Sequence, residues 1–358
     1  MPASIASDAF VGRRVTIERS LVCAGAGQFP VLARGGDVLA IALRAGGDHY
    51  GLGGTLATTW SDDGGRTWSE PIDAAPRGSD VRNPAFAILP DGRWLLAYWR
   101  AGTRCYPGGT WRLPEPIAGE PDLFVVTSAD RGRTWSAPVP QRSEQLAWAS
   151  PYGRMIACGD ALVMAAYGPP IGATQPGTEN DARASDARSA FDAIVLRSRD
   201  GGATWGDESR VLAGASELAL CAVGDVLVGA VRRAAGDTAI VTSRDAGTSW
   251  SEPVAVTREG LHPGDLCVLA GSGKLLLTFG RRIRPLGCGA LISSDRGATW
   301  SNEVMLAGDG IGNDVGYPST VQLDSGTLVT ALYFARGSGA EWGELTCQVL
   351  HYDESLVA

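Results

Sequence analysis

With 358 residues, 44% of them hydrophobic, and 48 glycines, the chain is long enough to bury a sizeable core, and its formal charge of -8 without a basic run excludes nucleic acid as an expected partner. No charge-free apolar run is long enough to cross a membrane, and Met1 to Phe10 lacks the basic start and hydrophobic middle of a signal peptide, so the expectation is a cytoplasmic chain unless a leader has been removed. The seven cysteines (Cys23, Cys105, Cys158, Cys221, Cys267, Cys288 and Cys347) are odd in number, show no metal-ligand spacing and read as buried free thiols, which speaks against a catalytic cysteine.

In chain order, the first element is Arg14-Val15-Thr16-Ile17-Glu18, which alternates like a strand. Six copies of a strand, a glycine-bearing turn and a second strand follow. They begin at Phe29-Pro30-Val31-Leu32, Asn83-Pro84-Ala85-Phe86, Ser150-Pro151, Ser216-Glu217-Leu218-Ala219, His262-Pro263 and Tyr317-Pro318-Ser319-Thr320. Each of the first five is followed by an eight-residue phrase, Ser-x-Asp-x-Gly-x-(Thr/Ser)-Trp, at Ser61–Trp68, Ser128–Trp135, Ser198–Trp205, Ser243–Trp250 and Ser293–Trp300. The phrase suits a tight hairpin connection. Its Ser and Asp oxygens accept backbone hydrogen bonds, its Gly supplies a positive φ, and its Trp plugs into a neighbouring sheet.

The sixth unit lacks the phrase and is followed only by the strand-like Thr346-Cys347-Gln348-Val349-Leu350, so the N-terminal strand is expected to complete it. Six four-stranded sheets closed in this way make an all-β, six-bladed β-propeller occupying residues 1–358 as a single domain. No linker or composition shift favours the alternative, a row of separate β modules. Two stretches exceed what a blade needs, Ala101 to Asp122 and Pro169 to Asp192, and read as long surface loops of the kind that carry specificity.

Superposing the units on their inner-turn glycines (Gly36, Gly92, Gly159, Gly224, Gly273 and Gly326) and counting eight residues onward gives Arg44, Arg100, Tyr167, Arg232, Arg281 and Phe334. Equivalent positions of equivalent strands project in similar directions. Four arginines at one rim repel one another unless carboxylates or an anionic ligand neutralise them. The heads of the first strands, at the same end of each hairpin, carry Gln28, Asp80 with Arg82, Ser150, Glu217, His262 with Asp265, and Tyr317. Both rings are expected to converge on one mouth of the central channel. The bland alternative for each arginine is a structural ion pair, and for Tyr317 a core tyrosine.

The five-fold phrase resembles the Asp-box of the sialidase (neuraminidase) superfamily, and the resemblance covers essentially the whole chain. Ser216-Glu217 followed by Arg232 looks like that family's glutamate and one arginine of its carboxylate-binding triad, Gly316-Tyr317-Pro318-Ser319 looks like the segment of its nucleophilic tyrosine, and Asp48 falls where its acid/base aspartate is expected. Asp-boxes specify architecture better than chemistry. The resemblance implies a glycoside hydrolase releasing a terminal sialic acid or related nonulosonic acid, with Tyr317 as nucleophile, Glu217 as its base and Asp48 as acid/base. Arg44, Arg232 and Arg281 would surround the substrate's acid group, with Arg282, Arg100, Arg82, His49, Gln28, His262 and Asp265 as further substrate contacts.

The chemistry accounts for these residue types. A sugar bearing a carboxylate on its anomeric carbon repels a carboxylate nucleophile, whereas a neutral phenol does not. A phenol with a pKa of about 10 needs a base to take its proton. Water is the only other reactant, so no cofactor or metal is implied, and the expected partner is a sialylated or related acidic glycan. Two departures stand out: Gln28 occupies the place of the family's first triad arginine in Gly27-Gln28-Phe29-Pro30, and Gly287-Cys288-Gly289 stands where the third is usual, with Arg281, Arg282 or Arg284 as substitutes. These leave open a different acidic or arabinan-type sugar, a lyase, or a glycan-binding propeller without catalysis.

Overall fold

The computed structural model describes residues 16–46, 49, 53–102, 120–173, 189–312, 314–336 and 344–357. Asp48, Cys105 and most of the two long expected loops lie outside the described residues. The strands run in sequence-adjacent antiparallel sets. β1 (Glu18–Ala24) is followed by β2 (Gln28–Gly35), β3 (Val38–Ala45), β4 (Thr55–Ser61) and β5 (Ile72–Asp73). Next come β6 (Val81–Ile88), β7 (Trp94–Arg100), β8 (Leu123–Ser128) and β9 (Val139–Gln141), then β10 (Ser150–Cys158), β11 (Ala161–Gly168), β12 (Asp192–Ser198) and β13 (Gly206–Ala213). The last sets are β14 (Ala215–Val223), β15 (Val226–Arg233), β16 (Thr238–Ser243) and β17 (Val254–Ala255); β18 (Leu261–Val268), β19 (Leu275–Arg281), β20 (Leu286–Ser293) and β21 (Val304–Gly310); and β22 (Val315–Gln322), β23 (Leu328–Arg336) and β24 (Glu344–Tyr352).

Among the described residues these strands make four four-stranded sheets and one eight-stranded sheet, in which β6 and β10 join two four-stranded runs by a short parallel pairing. The architecture is all-β and propeller-like. The first strands β2, β6, β10, β14, β18 and β22 each contact the next, and β22 returns to β2. β1 pairs antiparallel with β24, so the outermost strand of the last sheet comes from the start of the chain. It begins at Glu18, a little later than the alternating pattern suggested, with Thr16 outside any element.

Strands form here because the inner pairs are nearly continuous runs of Val, Leu, Ile, Ala and aromatic residues, buried on both faces as the sheets stack. Six apolar clusters each lie between two successive sheets, such as Leu276, Leu286 and Ile292 against Val315, Leu332 and Leu350. The inner-turn glycines named above all have positive φ, between 60° and 86°.

The Asp-box phrase connects third to fourth strands. In all five copies the serine hydroxyl accepts the N–H of the glycine four residues on at 2.8 Å and donates to aspartate Oδ1. Aspartate Oδ2 accepts the Thr or Ser hydroxyl at 2.5–2.7 Å. The residue before the phrase's glycine is also left-handed in each copy, and it is glycine only at Gly64 and Gly201; Arg131, Ala246 and Arg296 take φ of 57–61°. There the side-chain bonds of Ser and Asp, rather than a missing Cβ, hold the turn.

Candidate functional site

Every first strand carries an irregularity near one end. The register with its partner slips between Gln28 and Val31, Arg82 and Ala85, Tyr152 and Ile156, Ala215 and Leu218, Leu261 and Gly264, and Gly316 and Ser319. A bulge re-aims the side chains around it. In three strands the bulge holds a non-glycine residue in the left-handed region just before a proline: Phe29 (φ 55°), Asn83 (φ 49°) and Tyr317 (φ 47°). Left-handed backbone is costly for bulky residues, by about 1–3 kcal/mol, and such strain gathers at functional sites. Gly316 before Tyr317 has no substitute, since a Cβ there would come within 2.6 Å of the Gly280 backbone.

These bulges assemble a buried aromatic cluster of Phe29, Tyr152, Tyr317 and Tyr333. Tyr317 Oη donates to Glu217 Oε1 at 2.7 Å, and Arg232 Nη1 donates to the same oxygen at 3.0 Å. The Ser216 hydroxyl donates to Glu217 Oε2. All three partners in this chain of contacts are at most 6% exposed. Burial, then the Glu217 charge, hold the Tyr317 phenol well above its ordinary pKa, against the pull of Arg232 and Arg282. The resting tyrosine is therefore protonated, and the carboxylate that accepts its hydrogen bond is placed to take its proton.

Arg282 lies over the Tyr317 ring, its Cζ 5.5 Å from the centroid. Its Nε and Nη2, with Arg232 Nε, are buried and have no hydrogen-bond partner among the described residues. Burial opposes the Arg282 charge, but Tyr333, Tyr317, Asp314 and Glu217 more than offset it and raise its pKa. Two guanidiniums thus hold unsatisfied donors beside a protonated phenol, an arrangement suited to an anion or a group of hydrogen-bond acceptors.

The repeat alignment places the two rings opposite each other, with Gln28 paired to Arg44, Val81 to Arg100, Ser150 to Tyr167 and Leu261 to Arg281. The expectation that the four ring arginines converge is corrected for three of them, each of which is spent on a carboxylate. Arg44 is completely buried, donating to Asp80 Oδ1 at 2.8 Å and to the Val81 carbonyl. Arg82 also binds Asp80 and lies over the Trp99 ring. Arg100 donates to Glu120 at 2.6 Å with its guanidinium over Phe124, and Arg281 donates to Glu303 and the Pro285 carbonyl. Successive strand residues face opposite ways, so Arg281 turns outward where its neighbour Arg282 turns in.

Asp265 is likewise not at the Tyr317 cluster. It pairs with Arg154 Nη2 at 3.0 Å and accepts the Thr320 N–H at 2.7 Å, further along the first strands. Gln28 is buried with its Oε1 unsatisfied among the described residues, and His262 is buried beside the Gly236 turn. His49 does join the cluster, its ring edge-on to Phe29 at 4.9 Å and its Nδ1 2.9 Å from Asp314 Oδ2.

Sequence reasoning missed Asp314, Tyr333, Asn83, Tyr152 and Arg154. Asn83 donates to Ser150 Oγ at 2.8 Å and to Tyr167 Oη at 2.7 Å. A signal for Asp314 was present: Asp314-Val315-Gly316-Tyr317-Pro318 repeats Asp80-Val81-Arg82-Asn83-Pro84. Both aspartates capture a basic side chain from another unit's hairpin, Arg44 for Asp80 and His49 for Asp314.

Residues 107–330 match the model of a family described as a BNR repeat-like domain. No match is found among curated protein sequences. Among solved structures, a protein of unknown function from Dyadobacter fermentans superposes with a TM-score of 0.73 at 22% identity, over 94% of this chain and 98% of that one. The Hadza microbial sialidase Hz136 gives 0.67 at 20%, over 93% and 66%. Trypanosoma rangeli sialidase in complex with sialic acid gives 0.63 at 14%, over 97% and 56%. The chain thus spans about half to two thirds of those sialidase chains, and at such identities the likeness is one of fold.

Proposed function

This chain belongs to the sialidase and BNR-repeat superfamily, and from that premise we propose that it is a six-bladed propeller glycoside hydrolase that releases a terminal sialic acid or related nonulosonic acid. The observation that carries the reading is the buried Tyr317–Glu217 hydrogen bond of 2.7 Å with Arg232 on the same carboxylate oxygen. A phenol paired with a base is a competent nucleophile towards a carbon that already bears a carboxylate, because it approaches uncharged. Glu217 takes the Tyr317 proton as the oxygen attacks. Arg232 donates to the same carboxylate oxygen before the transfer and faces its protonated form afterwards.

The unsatisfied nitrogens of Arg232 and Arg282 supply the acid clamp, and Arg44, Arg100 and Arg281, which are engaged elsewhere, do not. A clamp of two guanidiniums, with Gln28 where the family's first triad arginine is usual, also favours a second reading, the same fold and nucleophile acting on a different acidic sugar. The Asp48 carboxyl, expected as acid/base, lies outside the described residues.

A panel of aryl glycosides tests the proposal. Cleavage of an aryl sialoside, lost in Tyr317→Phe and in Glu217→Gln, is the expected result. Cleavage of only a neutral aryl glycoside would remove the acid clamp from the reading, and ligand binding without turnover of any glycoside would make the protein a lectin.

A further inference from the structure

β1 enters the last sheet from the start of the chain, and the seam that joins it to β24 carries two thiols. Cys23 and Cys347 are directly opposed in the antiparallel register. Residues opposed in this way share a face of the sheet, and both side chains lie in the apolar cluster between the last sheet and the first, with Leu39, Ile41 and Val349. Cys347 is completely buried and Cys23 half-buried, its Sγ donating to the Ala26 carbonyl at 3.6 Å. Both are free thiols.

The register brings the pair within reach of a bond. The Gly25 N–H donates to the Leu345 carbonyl at 2.8 Å, and hydrogen-bonded and open pairs alternate along such a ladder, so Cys23 and Cys347, two positions along, form a hydrogen-bonded pair with Cα atoms about 5.5 Å apart. A disulfide spans about 4.4–6.8 Å between Cα atoms. Opposed Cβ atoms stand about 4.5–5.5 Å apart against about 3.5–4.5 Å in a disulfide, so closure draws the strands together by roughly 1 Å. The register slips between Leu21 and Cys23, and that bulge is where the backbone can give. Burial pushes the Cys23 thiol up to about 11 and the Cys347 thiol well above its ordinary range, with the neighbouring Cys23 adding to the latter. The thiolate is the attacking form, so exchange at this pair is slow at neutral pH.

We propose that Cys23 and Cys347 form a reducible disulfide that staples the strand closing the propeller-like ring. A small-molecule disulfide is the oxidant. Cys23, the more exposed partner, attacks it: Cys23 Sγ bonds to one sulfur, the small S–S bond breaks, and the departing thiolate takes up the proton that Cys23 has lost. Cys347 then attacks Cys23 Sγ in the mixed disulfide and displaces the second small thiol, which takes the Cys347 proton. Two protein thiols are oxidised and one small disulfide is reduced to two thiols. The staple closes most of the chain into one covalent loop, the case in which the unfolded state loses most entropy. A bond formed under tension is also readily reduced, which makes the staple reversible. It borders the mouth on both sides. Beyond Cys23 the chain passes Gly27, whose N–H donates to the Arg44 carbonyl at 2.8 Å, and reaches Phe29 against the Tyr317 ring. Cys347 is opposed across β23 by Tyr333, which donates to Asp314 at 2.5 Å.

The test uses the full chain, equilibrated at mildly alkaline pH in mixtures of oxidised and reduced glutathione and approached from both the reduced and the oxidised protein. The expected product has lost the mass of two hydrogen atoms and yields, on digestion without reductant, one cross-linked peptide pair containing Cys23 and Cys347. Its Tm should stand about 3–7 °C above that of the reduced form, amide exchange in β1 should slow, and dithiothreitol should reverse both changes. Cys347→Ala should abolish the cross-link and the rise in Tm. If that variant does not fold, Cys23→Ala, at the half-buried partner, decides in the same way. A cross-link through another cysteine, such as Cys105 or a Cys221–Cys267 pair, overturns the proposal. So does a glutathione adduct that persists on Cys23, an unchanged mass from both directions, or an oxidised form that melts no higher than the reduced one. No outcome depends on turnover, so this proposal and the hydrolase reading fail separately.

Discussion

Tyr317→Phe removes one oxygen atom and leaves the ring, its bulge and its aromatic neighbours in place. The lost interaction is the 2.7 Å bond to Glu217. A hydrogen bond to a charged group contributes about 1.5–3 kcal/mol to stability. At about 2.1 cal/mol/K of unfolding entropy per residue, a chain of 358 residues has roughly 0.75 kcal/mol/K, so Tm should fall by only about 2–4 °C. Turnover should respond on another scale. Loss of a nucleophile leaves whatever the clamp and the pocket still provide, and a fall in kcat of at least about 10³-fold, or roughly 4 kcal/mol in the barrier, is expected. Affinity for the released sugar acid should stay within about threefold, because Arg232 and Arg282 are untouched and a bound product does not need the phenol's proton. Calorimetric melting, calorimetric titration with product and steady-state kinetics on one aryl glycoside give the three numbers. Turnover within tenfold of wild type, or affinity falling in step with turnover, would show that Tyr317 is a packing or binding residue and that the nucleophile is elsewhere.

Arg282→Ala removes two buried donors that have no partner among the described residues, so KM for an acidic aryl glycoside should rise about 10–150-fold, the equivalent of a charged hydrogen bond or two, while KM for a neutral one stays put. Asp80→Ala strips the carboxylate from Arg44, which is fully buried, and from Arg82; about 3–5 kcal/mol of stability should go, lowering Tm by roughly 4–7 °C. Acid should destabilise the fold through Asp314. Its carboxyl is held at about 2 against about 3.9 unfolded, so its contribution is complete above pH 4 and disappears as the pH falls towards 2. Urea midpoints measured between pH 5 and 2 should fall less steeply in Asp314→Asn. Asp63, Asp130, Asp245 and Asp295 are each held at about 2 as well, so the residual slope should remain clearly above zero.

The repeat made the backbone legible because it is a statement about hairpins, and hairpins are local. Glycines at Gly36, Gly92 and their equivalents do adopt the positive φ that the turn needs, and the Ser–Asp–Gly–Trp phrase forms its own hydrogen bonds within eight residues. Side-chain direction was legible only by alternation, and bulges break alternation. Counting eight residues from the inner glycine found the right place on the strand for Arg281 and the wrong neighbour for the site, since Arg282 is the residue above Tyr317. Partnering was the least legible. Nothing near Arg44 in the sequence announces Asp80, thirty-six residues on, as the carboxylate that claims it. Asp314 was overlooked for a related reason: its only sequence signal is a likeness to Asp80, whose own role becomes visible only once Arg44 and Arg82 are seen around it.

One backbone device has three different uses around this mouth. Phe29, Asn83 and Tyr317 sit at matching bulges, each left-handed and each followed by proline. If the strain served folding alone, glycine at these positions would relieve it and the side chains would be unnecessary. Instead each side chain makes a contact that a regular strand would not offer. Phe29 bridges the rings of His49 and Tyr317, Asn83 ties Ser150 to Tyr167, and Tyr317 reaches Glu217 from a different sheet. The contacts over-determine the strained conformation, which is the condition under which strain persists. Rigid sheets thereby fix three directions of approach, one for the side chain that each bulge presents.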